Sequence, residues 1–238
     1  MIREHFQYKT TITTILADEQ SHIEAAKDAM FKARLELEEL IFLDPYFGST
    51  LEPYHTDFDS ITAKRMSDAA EEAGVGPMAA VAGTIAWQGV KAMQDAGAEF
   101  ALVDNGGDIA LISNRDVRIG LHAGSFALSD RIAFIIPPQQ EILGVCTSSA
   151  TVGPSVSFGI ADAVTVFSGN VALADAWATS LCNSARGCTG ELFAPLKDSA
   201  VDGVFVSIGN EVCTWGEIPE IVAANVDENL ITTGRQFR

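Results

Sequence analysis

The chain has 238 residues, 47% of them hydrophobic and 20% charged, with a formal net charge of −17. That is a globular composition, and its field repels a phosphate polyanion, so no nucleic-acid partner is expected unless the basic residues cluster in space. No stretch is apolar for the roughly 18 residues of a membrane span, and MIREHFQYKTT at the start lacks the apolar run and small-residue cleavage site of a secretory signal. The expectation is a cytoplasmic protein, working away from membranes, as a single compact unit over residues 1–238 with no Pro/Gly/Ser-rich linker. A homo-oligomer stays open. An anionic small molecule or nucleotide would need local help from backbone N–H groups, a helix N-terminus or a bound cation.

QYKTTITTILAD (7–18) alternates polar and β-branched apolar residues, which predicts a strand or hairpin arm. Ile23, Ala26, Met30, Ala33, Leu37 and Leu40 then recur at helical spacing, with Ser21 and Glu24 set as a capping box and Asp44-Pro45 as a stop. The stretch 44–60 reads as an ordered loop. In it His55, Asp57 and Asp59 make a metal trio on paper, although Asp59 or Ser60 also suits a helix cap. Residues 61–73 form a second helix with Gly74 at its C-terminal turn.

Gly76-Pro77 opens a third helix made thin by Ala79, Ala80, Ala82, Gly83, Ala86 and Gly89. A thin helix admits a neighbouring backbone or a ligand, and its first amides favour an anion. From residue 99 the period becomes two. EFALVD, DIALIS, VRIGLH, RIAFIIP and EILGVCTS read as successive strands, with turns at 105–107 and 113–116. TVGPSVSFG (151–159) is too polar for a core strand. ADAVTVFSG is a strand, ALADAWATSLCNSA a helix, and GVFVSIG with EVCTWGE a hairpin around Gly209-Asn210. Helices, then a strand meander, then strand–helix–strands give an α+β fold with largely antiparallel sheets and helices packed on them. Cys146, Cys182, Cys188 and Cys213 have no zinc spacing, so buried free thiols are expected.

Chemistry concentrates in few places. NGGD (105–108) between apolar strands is a tight turn, or a place where backbone N–H groups meet a ligand. CTSSAT (146–151) ends a strand in small hydroxylated residues. Asp175 and Thr179 stand four apart on one helix face and offer hard oxygen donors of the kind Mg2+ takes; a helix-start acid and a back-bonded hydroxyl would look the same.

VDNGGDIAL, TSS and ADAWATSL, in this order after a glycine-rich helix, resemble the FAD:protein FMN transferases, the ApbE family. The likeness covers roughly residues 76–182, with STLEPYH and the helix of 20–43 also in place. It is closest to a small branch found without lipoprotein signals. The resemblance implies tandem T-fold-like halves packed as a pseudo-dimer, with the ligand between them. It implies Mg2+ on Asp175, Thr179 and a carbonyl near Val81. It places FAD or FMN along Asn105, Gly106, Gly107, Asp108, Thr147, Ser148 and Ser149. Asp108 and Asp175 are the acids with a candidate catalytic role.

The departures are specific. Ala82 and Trp87 stand where the family has lysine and aspartate, Ser149 replaces the last glycine of T-S-G, and only TVGPSVSFGIAD fills a segment that in the family is longer and carries a histidine. The expected function is a metal-dependent enzyme on a flavin-nucleotide-like or other phosphorylated ligand, with an altered nucleotide site. The alternative is a non-enzymatic binding or assembly module that kept the fold and lost the transferase chemistry.

Overall fold

Alternating β-branched residues make β1 (Ile2–Tyr8) and β2 (Thr11–Ala17) an antiparallel hairpin, with Ile2 opposite Ala17. The computed structural model describes residues 1–124, 126–151, 158–227 and 230–232. Helix α1 (Gln20–Leu43) follows and buries the predicted stripe, joined by His22. The capping box does not form. The helix starts one residue before Ser21, and the Ser21 hydroxyl donates to Glu19. Helix α2 (Ile61–Ala73) has both expected ends: Ser60 Oγ accepts from the Ala63 amide, and Gly74 takes a left-handed turn at φ 69°. Ser60→Ala should lower the free energy of unfolding by about 1 kcal/mol, read from a urea midpoint.

A short 3-10 turn, Pro77–Ala80, precedes helix α3, which runs only over Val81–Asp95 and not from Pro77. Ala80 leaves helical geometry between them, at φ −112° and ψ 11°. The strands are β3 (Ala101–Asn105), β4 (Asp108–Ser113), β5 (Val117–Gly120), β6 (Ile132–Ile136), β7 (Gln139–Ser148) and β8 (Ala163–Ser168). Helix α4 (Val171–Ser184), a 3-10 segment (Gly190–Asp198), β9 (Gly203–Ile208), β10 (Glu211–Gly216) and β11 (Glu220–Ala223) complete the chain order.

Among the described residues the main sheet has the order β1-β2-β3-β4-β7-β8-β9-β10, antiparallel throughout. The meander expected over 99–148 is therefore interrupted. Strands β5 and β6 leave the main sheet and pair with β11 in a small second sheet. The reason is the second face. Leu102, Leu111, Val145, Phe167 and Phe205 need cover, and Ile119, Phe134 and Ile136 of the small sheet supply it. Phe134 packs edge-on against Phe167 at 5.1 Å and Phe205 at 5.4 Å between ring centroids. The helices cover the other face, over Ile15, Val103, Ala110, Cys146, Val164 and Val206. Strand β8, buried at every position, reads as an unbroken run because both its faces are covered.

The cysteine expectation is half corrected. Cys146 and Cys182 are buried free thiols, but Cys188 and Cys213 are joined in a disulfide with Cα atoms 5.7 Å apart. The fold lays β10 beside the loop that follows α4, a proximity that a separation of 25 residues does not announce. Six residues of TVGPSVSFG, 152–157, lie outside the described residues, and they are half of the shortened segment 151–162.

Candidate functional site

Two strand ends and two helix starts meet at one place. NGGD is the β3–β4 turn, with Asn105 paired to Asp108 and both central glycines at positive φ, 75° and 106°. Only glycine takes two such conformations in succession without steric cost. Neighbouring side chains on β3 point to opposite faces and hold the turn from both sides. Asn105 Nδ2 donates to the Ala82 carbonyl at 3.0 Å, on the helix side, and Asp104 Oδ1 accepts from the Gly107 amide at 2.9 Å.

The end of β7 lies alongside. Asp108 is opposite Cys146 in the β4–β7 register, and the Thr147 amide donates to the Gly107 carbonyl at 3.1 Å. Thr147 and Thr165 share a hydroxyl hydrogen bond at 2.9 Å. Ser148 reaches the helix: its Oγ is 3.2 Å from Thr179 Oγ1. Ser149 Oγ accepts from the Thr151 amide and shapes the turn that leaves the strand.

Helix α4 is buried from Val171 to Ala178, with Asn170 as its cap. Asp175 is 5% exposed, and its Oδ2 accepts from the Gly83 amide at 2.8 Å. The start of α3 does attract an anion, as its amides predict, but that anion is Asp175 of the chain itself. Gly83 makes the contact sterically feasible: a Cβ there would lie 2.9 Å from both Asp175 Cβ and the Val171 carbonyl. Val81 opens α3 two residues earlier.

The electrostatics are those of acids lacking a counter-cation. Burial raises Asp175 to about 7, while the Gly83 and Ala82 amides pull it down. Asp108 stands well above the ordinary carboxylate range through burial and through repulsion from Asp175 and then Asp104. Burial, then Asp108 and Asp175, push the Cys146 thiol up, and its Sγ donates to the Val171 carbonyl at 3.6 Å. No basic side chain among the described residues contributes to either carboxyl shift. The oxygen atoms at this place are those of two carboxylates, the Thr179 and Ser148 hydroxyls and main-chain carbonyls. Among the described residues no group of three or more His, Cys, Asp or Glu is placed to hold a metal.

The chain belongs to a known family. The family model described as AbpE bacteria matches residues 2–190. A UPF0280 protein of Methanosphaerula palustris is 58% identical over 100% of both chains. Another, of Methanoculleus marisnigri, is 59% identical over 100% of this chain and 98% of its own. Among solved structures, the apo form of the flavinyl transferase ApbE of Pseudomonas stutzeri superposes with a TM-score of 0.59 at 11% identity, covering 98% of each chain. The H257G mutant of the flavin transferase ApbE of Vibrio cholerae gives 0.56 at 14% identity, covering 94% of this chain and 98% of its own. At such identities the shared property is the fold, which is α+β as the resemblance implied.

Asn105, Gly106, Gly107, Asp108, Thr147, Ser148, Asp175 and Thr179 are thus linked by contacts, register or electrostatic coupling in this AbpE-family chain. Gly83 and Asp104 were missed as site-building residues. The signal for Asp104 was local: an aspartate before N-G-G is set to hold the turn amide three residues on. Trp87 is occupied in a way its sequence position hides, with the Arg65 guanidinium 3.7 Å above its ring and Arg65 Nη2 donating to Asn170 Oδ1. The paper trio does not assemble; His55 Nε2 pairs with Glu71 at 2.9 Å. Concave surfaces of ≈ 540 Å³ over residues 55–67 and ≈ 440 Å³ between α1, α2 and α3 lie away from Asp175.

Among the described residues no helix is long and apolar enough to cross a membrane.

Proposed function

We propose that this protein is a divalent-cation-dependent enzyme acting on a flavin nucleotide or a related phosphorylated ligand, in the manner of FMN transferases but with an altered nucleotide site. The observation that carries this reading is the acid pair of buried Asp175 and half-buried Asp108, with no basic partner among the described residues and with hydroxyls beside it. Such a pair is costly alone and favourable around a cation. Asp175, Thr179 and the Val81 carbonyl would hold Mg2+. The ion, when bound, neutralises phosphate charge and acts as a Lewis acid.

The chain's own residues do the rest. The Gly106–Gly107 turn brings main-chain groups close to a ligand without side-chain obstruction. Thr147, Ser148 and Ser149 offer hydroxyls along its edge. Asp108, with its raised affinity for a proton, is the group that would take and return one. Asp175, fixed by the α3 amides, holds position. Ala82 and Trp87 alter what faces the nucleotide, which supports a ligand set different from that of the transferases. The tandem-half reading belongs to the same proposal, and the sheet order supports it. Hairpin β1-β2, helices and hairpin β3-β4 come first; β7-β8, α4 and β9-β10 then repeat that sequence of elements.

Calorimetric titration with FAD, FMN and ATP, with and without Mg2+, tests the reading. The expected result is Mg2+-dependent binding of at least one of them, with turnover by product analysis. Binding without turnover would favour the binding-module alternative. No binding by a folded protein would contradict the reading.

A further inference from the structure

The turn that carries Gly106 and Gly107 is tied to the far end of the chain. Thr232 is 7% exposed, and its hydroxyl donates to Asp104 Oδ2 at 2.5 Å. The other oxygen of the same carboxylate holds the Gly107 amide at 2.9 Å. One side chain therefore joins a segment 128 residues away in sequence to the candidate ligand-binding turn.

The link continues across the sheet. Thr232 Oγ1 is 2.7 Å from Thr14 Oγ1, which is 3.0 Å from His5 Nδ1. His5, Thr14 and Asp104 are register partners on β1, β2 and β3, so they form one polar row across three strands. Counting protons gives the row a direction. A carboxylate only accepts, so the Thr232 hydroxyl donates its hydrogen bond to Asp104. Thr14 must then donate to Thr232, and His5 Nδ1–H to Thr14. Each bond polarises the next toward the carboxylate. Arg3 Nη2 holds the same segment by donating to the Leu230 carbonyl at 2.7 Å. Asp104 is costly to bury, and its partners are what keep it in place: without the Thr232 proton, one oxygen loses its donor and the carboxyl is free to turn from Gly107.

We propose that Leu230–Thr232 is a strap that fixes the Gly106–Gly107 turn through Asp104, making Thr232 and Asp104 positioning residues for ligand binding. The binding part rests on the function proposed above; the strap itself does not.

Thr232→Val removes the hydroxyl at nearly constant volume, and Thr232→Ser restores it. Hydrogen exchange of the Gly107 amide in the ligand-free protein should quicken about tenfold in Thr232→Val, the loss of one charge-assisted hydrogen bond. It should return to within about twofold of wild type in Thr232→Ser. In the presence of Mg2+, the dissociation constant for FMN should rise about tenfold in Thr232→Val and recover in Thr232→Ser, while the thermal midpoints of both variants stay within about 3 °C of wild type. Unchanged Gly107 exchange in Thr232→Val overturns the strap. Faster exchange with unchanged FMN affinity overturns the positioning role. A wild-type protein that binds no nucleotide overturns the proposed function, and the exchange measurement still decides the strap.

Discussion

Asp175→Asn is expected to weaken divalent-cation binding by at least about a hundredfold, because it removes a buried ligand charge while keeping the shape of the side chain. The asparagine oxygen can still accept from the Gly83 amide, so the helix contact survives and the loss is specific to charge. The same variant has a pH signature in the metal-free protein. Asp175 holds its proton to about pH 7 in the folded chain, against an ordinary value of 3.8. A carboxyl raised in this way makes the folded state bind more protons than the unfolded one, so stability falls as pH rises. The fall begins near pH 4, ends above pH 7, and amounts to something on the order of 4 kcal/mol. Asp175→Asn should therefore match wild type at acid pH and exceed it by a few kcal/mol at pH 8. A smaller slope should remain from Asp108, whose carboxyl is raised first by burial and then by Asp175. Urea unfolding at intervals from pH 4 to 8 reads both variants. A flat wild-type profile would show that the acid pair is not strained.

Gly83→Ala is the second large effect. The added methyl would sit 2.9 Å from Asp175 Cβ and 2.9 Å from the Val171 carbonyl, closer than such atoms approach. Both neighbours belong to α4, a helix buried along that stretch, so they cannot move alone. Helices α3 and α4 must part. Overpacking of this kind costs about 1–3 kcal/mol, against a helix-propensity gain of up to about 1 kcal/mol for replacing glycine. A net loss of about 1 kcal/mol, and at most about 2, is expected in urea unfolding. The Gly83–Asp175 hydrogen bond lengthens in the process, so cation affinity should drop about tenfold as well. Wild-type stability in Gly83→Ala would mean that the two helices have slack that their contacts do not show.

Much of this site was legible because it is local. Two glycines between apolar strands, hydroxyls at a strand end, and Asp175 four residues from Thr179 are patterns within one element, and their shared order gave the resemblance. The helical stripe of α1 and both ends of α2 were legible for the same reason: each is set by residues within a few positions of one another. What failed was non-local. Period-two patterning marks β5 and β6 as strands but does not name their partner, and burial of Phe167 and Phe205 decided that they leave the main sheet. The Cys188–Cys213 bond and the Thr232–Asp104 bond join residues that only the fold brings together. The thin start of α3 was read as open to a ligand anion, and tertiary packing instead gave its amides to Asp175.

In the proposed function, Asp175 and its neighbours hold a cation that in turn holds a phosphorylated ligand. A calorimetric titration of FMN into wild type and Asp175→Asn, each with Mg2+ and with chelator, tests it most directly. The account predicts binding by wild type only when Mg2+ is present, and little or none by Asp175→Asn in either condition. Equal FMN binding by both proteins in the presence of chelator would contradict it.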